Sequence, residues 1–441
     1  MKQFAFFGII LIGIISLCWS VYRDVQIEKL LPSDLRNRVV GARLQKDGKL
    51  PYFYKWKPGD GIRYYDPNNF DSLRVATITA SPFFHQLLYP VVEWKQRTIS
   101  RFWVALQYVL LFIMTGMALA LSQNVFQKMA VLAAAISFLY TEAWINLIAP
   151  GQNYLFIPFF AMLCYVCLRK TNNSIAAFFA GLFAISLVLI RPNTVIMFLP
   201  LLFMAGRFSL RYKVVFFVPV LLMLGLIAGS SFQRALWKDY ANGLSEQLKL
   251  HQQLGVAKQI NARDPKFAEW EGWNMAEVDK EFEKTSYVNY SENGNFFVLV
   301  RDGLHMKLSP RFLTISSFSL MGLLLLMFFF YRRKTGYLLF NLVIFGFCLY
   351  MLSDLFSPIF RHQYYTVQWF FPILLAASAY SKTYKWLYFV IGLGLILNII
   401  NSPYIKMEHS IGEYIIFAAL LLLAFVHNGK QEQGHFSIQH S

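Results

Sequence analysis

Long apolar runs separated by short basic links recur along nearly the whole chain, and a membrane-spanning helix needs about 20 mostly apolar residues. About twelve runs are candidates, near residues 4–22, 99–121, 127–147, 153–168, 174–190, 194–206, 213–231, 312–331, 336–355, 363–380, 385–401 and 411–427. The sixth is short, which points to a tilted span, one merged with its neighbour, or re-entry. A soluble domain carries about a quarter charged residues, whereas only 15% of this chain is charged and 56% is hydrophobic. Its 43 Phe residues make the apolar surface bulky, as suits contact with lipid. The expectation is an all-α polytopic membrane protein, residues 1–441 forming a single integral membrane domain.

A formal charge of +17 in a soluble protein would suggest nucleic acid. Here the charge punctuates the apolar runs: Arg169 with Lys170, Arg207 with Arg211 and Lys213, Arg332 to Lys334, Lys382 with Lys385. That is the positive-inside pattern, which orients helices, and no nucleic-acid partner is expected. With the N-terminus in the cytosol, these links fall on the cytosolic side together with Lys2, Lys128 and Lys430. The short opposite loops carry only Arg191, Arg361 and Lys406. The N-terminal run has a Lys before an apolar core, as a signal peptide has, but Trp19, Tyr22 and Arg23 follow in place of a small-residue cleavage site; it is expected to stay as the first span. Cys164 and Cys167 form a C-x-x-C without a nearby His or further Cys, and read as packing residues.

Two long polar segments, 23–98 and 232–309, then lie on the extracytoplasmic side. The first crowds Asp34, Arg36, Arg38 and Arg43 near Tyr52, Tyr54, Trp56, Tyr64 and Tyr65, the residue types that hold a sugar and a phosphate. The second has the polar composition of solvent-facing or amphipathic helices. Short polar turns face the same side: Gly151, Gln152 and Asn153; Arg191, Pro192 and Asn193; Asp354, Arg361 and His362. Each has a plainer reading, since an Asp at a helix start caps it, Pro-Gly-Gln is turn chemistry, and His362 or Arg361 can sit at headgroup level. Arg191 beside hydrocarbon is costly unless paired or snorkelling. Together the turns are placed to wall one cavity.

Asp-Leu-Arg early in the first outer loop, the Gly-Gln turn, Arg191-Pro192 closing a span and SPIFRHQYY before a late span resemble glycosyltransferase family 87, polyprenol-phosphate-sugar-dependent enzymes of the GT-C superfamily that include mannosyltransferases. The resemblance covers Asp34 to about Pro372, with Arg191 where the family commonly has Lys. It implies a GT-C-type fold and inverting transfer of a hexose, mannose by preference, from a polyprenyl phosphate to a lipid-linked or glycan acceptor. Asp34 matches the family's catalytic base and His362 its late histidine. Arg191 and Arg361 are the candidates for the donor phosphate; Gln152, Asn153, Asn193, Arg36, Tyr64 and Tyr65 are candidates for substrate binding. The acids of the outer loops lack metal-ligand spacing, so no metal or other cofactor is expected beyond the lipid-linked donor. The partners are that donor, a glycolipid or glycan acceptor and membrane lipids, in a bacterial plasma membrane. A lipid-linked glycan polymerase or ligase is the enzymatic rival, and a flippase or transporter the rival from another class.

Overall fold

Every candidate apolar run folds as helix, and the described residues of the polar segments between them supply turns and further helices, the longest of them the 24-residue Ser231–Leu254. The computed structural model describes residues 2–30, 32–66, 76, 78–254, 269–274, 276–277, 280, 294–306, 308–357, 361–400 and 408–428. Asp71, Asp264, Asp279, Glu281 and Glu283, and with them much of the second loop, lie outside the described residues.

The helices are α1 (Lys2–Ile27), α2 (Ser33–Lys46), α3 (Pro82–Leu87), α4 (Gln96–Leu121), α5 (Val125–Leu139), α6 (Glu142–Ile148), α7 (Phe156–Leu168) and α8 (Ser174–Ile190). They continue with α9 (Leu210–Gly229), α10 (Ser231–Leu254), α11 (Phe296–Leu304), α12 (Pro310–Thr335), α13 (Leu339–Leu355), α14 (Phe370–Ser378), α15 (Lys385–Leu397) and α16 (Glu408–Val426). Two 3-10 helices, Pro192–Arg207 and Gln363–Trp369, lie before α9 and α14. The strands among the described residues are β1 (Glu269–Trp270) and β2 (Trp273–Asn274), a small antiparallel hairpin pairing Glu269 with Asn274.

By length and apolarity, five described helices qualify as spans: α1, α4, α9, α12 and α16. The α5–α6 pair, bent by 59°, makes a sixth if counted as one. The protein is thus an all-α integral membrane protein, with fewer long spans than the expected twelve. The shortfall has local causes. Thr141 leaves the helix in an extended conformation and its Oγ1 accepts from Trp144 N at 3.2 Å, restarting α6 in a new direction. The run from 363 divides into a 3-10 turn and α14 because its polar start folds into the site described below. The short sixth run winds as a 3-10 helix, with Pro192 at its start and Pro200 inside it. At about 2.0 Å rise per residue, its 16 residues extend for roughly 32 Å, the length of a hydrocarbon core.

Burial sorts the helices. Only 11% of the most apolar stretch of α1, and of α9, is buried, so their outward faces are apolar all round and need lipid as solvent. At the centre, α14 is buried throughout and α13 nearly so. Gly346 lets α13 meet the Pro192–Arg207 helix, because a Cβ there would lie 2.1 Å from the Met197 carbonyl oxygen.

Hydrogen bonds tie the links into two ends. At one end Arg207 Nη1 donates to Tyr337 O at 2.8 Å, Gln127 Nε2 to Tyr380 O at 3.2 Å, and Tyr384 Oη to Val426 O at 2.7 Å. Arg332 and Asn341 both donate to the carbonyls of Ala424 and His427, closing the C-terminal end of α16. This end gathers the basic links. The other end carries the first loop, which starts later than expected because α1 continues through Arg23 and Asp24 to Ile27. There α2 lies on α3 and α4, with Leu35, Val39 and Ala42 packed against Phe84, Val92, Ile99 and Trp103.

Candidate functional site

Helix periodicity divides the charged residues of α2. Asp34 and Arg38, four apart, share one face, while Arg36 and Arg43, seven apart, share another. The Gly-Gln turn sits under the first face. Pro150 O accepts from the backbone N–H of Asp34 and of Leu35, each at 3.0 Å, satisfying donors that a helix start leaves open. Gly151 has φ +70°, and a Cβ there would lie 2.5 Å from Leu35 Cβ, so only glycine fits. The buried Gln152 then reaches both charges: its Nε2 donates to Asp34 Oδ2 and its Oε1 accepts from Arg38 Nη2. Trp103 Nε1 fixes the turn by donating to Gln152 O at 3.1 Å, and Arg38 Nη1 donates to Gly151 O at 3.3 Å.

Beside Asp34 stands an aromatic wall. Tyr364 lies within electrostatic reach of Asp34 and Arg38, stacks on His362 with ring centroids 5.0 Å apart, and stacks on Tyr154 at 5.3 Å. Tyr154 touches Tyr365 at 4.2 Å. Arg191 lies over the rings of Tyr154 and Tyr365, at 5.2 and 4.8 Å. The chain leaves α8 at Arg191 in extended conformation because Pro192 follows, and this turns the guanidinium inward. Tyr240, on α10 of the second loop, is buried within reach of Arg191 and Tyr365.

Behind the wall is a lattice of buried ions. Asp354 accepts from Arg191 Nη2 and, at 3.1 Å, from Arg361 Nε. Arg361 grips Glu413 with both Nη atoms, and Glu413 also accepts from Trp369 Nε1 at 2.7 Å and Thr366 Oγ1 at 3.2 Å. The Arg361 side chain is 2% exposed and that of Arg191 20%. Asp34, part-exposed, makes no ion pair among the described residues.

The structure therefore brings Asp34, Gln152, Arg191, Arg361 and His362 into one contiguous group. Asn153 follows Gln152 at the same turn, and Asn193 Nδ2 donates to Ser353 Oγ at 3.4 Å on the rim of the lattice. Arg36, Tyr64 and Tyr65 are elsewhere. Arg36 is fully buried and donates to Tyr65 O at 2.7 Å, to Ile62 O at 3.1 Å and to Glu271 Oε1 at 3.2 Å. The Tyr65 ring is buried against Trp56, 5.0 Å between centroids. Tyr64 Oη donates to Asp47 at 2.5 Å, at the far end of a 14-residue helix, about 20 Å long.

Arg36, with the Tyr65 carbonyl it holds, belongs instead to a clamp between the two loops, while Tyr64 stays within the first loop. Glu271, at the tip of the β1–β2 hairpin, accepts from Arg43 Nη1 at 2.8 Å and from the Gln96 backbone N–H at 2.9 Å, besides Arg36. Burial alone would raise its pKa, but the Arg43 hydrogen bond and the charges of Arg36 and Arg43 hold it below the usual carboxylate value. Burial lowers the pKa of Arg36 to about 10, which leaves it charged at neutral pH. His85 of α3 is pushed down to about 3 by burial and by the charge of Arg38, so it is neutral; Gly41 makes room for its ring.

Sequence reasoning passed over Tyr154, Tyr365 and Glu413, and named Arg38 in the charged stretch without singling it out beside Asp34. Reading α2 at helical period picks Arg38 over Arg36 as the partner of Asp34. Glu413 is a lone acid inside an apolar run, where an ionisable residue calls for a partner. Compared with protein-family models, curated proteins and solved structures, the chain matches none.

Proposed function

We propose that this protein is a membrane glycosyltransferase that moves a hexose from a polyprenyl phosphate to a lipid-linked or glycan acceptor on the extracytoplasmic face, with Asp34 as general base. The observation that carries the reading is the state of the three carboxylates. Asp354 and Glu413 are neutralised by direct arginine contacts, whereas Asp34 is held by a glutamine amide and keeps a part-exposed carboxylate. A base must be anchored without being quenched, and Gln152 anchors Asp34 from below without an ion pair.

In this mechanism Asp34 takes the proton of an acceptor hydroxyl as that oxygen bonds to the anomeric carbon. The bond from that carbon to the phosphate oxygen breaks on the opposite face, inverting the centre, and the electron pair leaves on the polyprenyl phosphate. Arg191, the more exposed of the two lattice arginines, serves the departing phosphate. Arg361 braces it through Asp354 and does not itself touch phosphate. His362 and Tyr364 line the acceptor side. The donor stays in the bilayer throughout, since withdrawing its tail costs about 0.8 kcal/mol per CH2.

The test compares wild type with Asp34→Asn in nanodiscs, using polyprenyl-phosphate-mannose and a panel of acceptors, with transfer followed by mass. Loss of roughly 10²–10⁴-fold in rate with donor binding retained is expected. Full activity in the variant would remove Asp34 as the base. Donor translocation in liposomes without any acceptor would favour the transporter reading.

A further inference from the structure

The end of the bundle opposite Asp34 contains a cavity of about 500 Å3, in the size range of small-ligand sites. Its wall is made where the α4–α5 link, the end of α7, the α14–α15 link and the end of α16 converge, and includes Gln123, Arg169, Ser378, Ser381, Thr383 and His427. Segments 122–128, 167–174, 331–341, 378–386 and 424–428 hold no Asp or Glu, while they carry Lys128, Arg169, Lys170, Arg332, Arg333, Lys334, Lys382 and Lys385.

Part of that positive charge answers helix C-terminal carbonyls, and Arg332 does so directly at Ala424 and His427. Arg169 does not: it is an exposed residue that lines the cavity, and its guanidinium makes no hydrogen bond or ion pair among the described residues. A second group is also open. His427 is 8% exposed, its Nδ1 has no hydrogen-bond partner, and it lines the cavity. Burial and the charge of Arg332 push its pKa down to about 4, so the ring is neutral and adds a polar contact without charge.

We propose that this cavity binds the phosphate of an anionic lipid head group, with Arg169 as its ion-pairing residue and the side chains of Ser381, Thr383 and His427 completing the polar shell. Basic pockets between helices at a membrane surface suit such head groups, and a guanidinium offers phosphate two parallel bonds. The inference is independent of the reaction at Asp34.

The experiment measures thermal stability of the full chain in nanodiscs of phosphatidylcholine, alone, with increasing phosphatidylglycerol, or with added inorganic phosphate. Wild type is compared with Arg169→Gln, with Arg169→Lys and with Lys334→Gln, an exposed basic residue of the same end outside the cavity wall. Stabilisation by phosphatidylglycerol is expected, with the lipid concentration needed rising about tenfold in Arg169→Gln, partial rescue by Lys and little change in Lys334→Gln. Stabilisation by inorganic phosphate alone, abolished by Arg169→Gln, would keep the phosphate site and assign it a soluble ligand. An equal loss in Arg169→Gln and Lys334→Gln, or no response of wild type to either probe, would overturn the proposal.

Discussion

The Asp34–Gln152–Arg38 relay and the Arg191–Asp354–Arg361–Glu413 lattice are built from the same residue types, a few side chains apart, and differ in what lies between opposite charges. In the lattice nothing does: Arg361 and Glu413 meet through paired bonds and are both about 1% exposed. In the relay a neutral amide is interposed, so acid and guanidinium are oriented but not joined. Direct contact uses up the charge of a carboxylate to hold helices together. An amide spacer fixes its position and leaves its charge available.

That contrast is broken or sharpened by amide substitutions. Glu413→Gln removes one of the two carboxylates of a buried lattice and leaves Asp354 alone to balance both Arg191 and Arg361, which costs about 3–5 kcal/mol; a large fall in unfolding temperature is expected. Asp34→Asn keeps shape and a polar contact with Gln152, so its stability is expected to stay within about 1 kcal/mol while transfer collapses. Equal loss of stability in both variants would erase the distinction. Gly151→Ala attacks the relay through its backbone. A left-handed φ and the overlap with Leu35 cost about 1–3 kcal/mol, and the activity loss is expected to exceed that of Asn153→Ala at the adjoining position, measured by the same transfer assay.

The inter-loop clamp is a third case, a direct carboxylate contact outside the spans. Glu271→Gln should cost about 1.5–3 kcal/mol, read as increased proteolysis of the second loop. Its pKa is lowered in the folded state, so the stabilisation is present above the unfolded value of 4.5 and is lost as pH falls below that value through the folded pKa. Wild type should therefore lose protease protection in acid, and Glu271→Gln should show a flatter profile. A wild-type profile unchanged from pH 6 to pH 3 would contradict the clamp.

The apolar runs made the helical class and the helices outside the two long polar segments legible, because each run is long against its own links; α2, α3, α10 and α11 lie in those segments. What the runs did not carry was continuity. The break at Thr141 and the 3-10 winding of Pro192–Arg207 arise from a cap and two prolines whose effect depends on tertiary neighbours. At the site, Gln152 and Arg191 were visible as polar residues stranded at the ends of apolar runs, and Asp34 as an acid in the charged and aromatic stretch of the first loop. Arg36 and the tyrosines stand apart from Asp34 because helical phase and the length of α2 separate residues that are near one another along the chain. Glu271 was one of many acids in a polar loop, and nothing local marked it as the one that meets Arg36 and Arg43.

Tyr64→Ala gives the smallest expected effect and the sharpest check on that separation. Its hydroxyl bonds Asp47 and its ring lies beside Tyr54 and under Lys49, so truncation removes a loop contact worth about 1 kcal/mol. The ring is at the opposite end of α2 from Asp34, and the acceptor KM and the transfer rate should both stay within about twofold, a difference under 0.5 kcal/mol. A tenfold rise in KM with the rate unchanged would mean that the first loop folds back over the site during the proposed transfer. The sugar-stacking role would then return to Tyr64, and the clamp at Glu271 would have to open for catalysis.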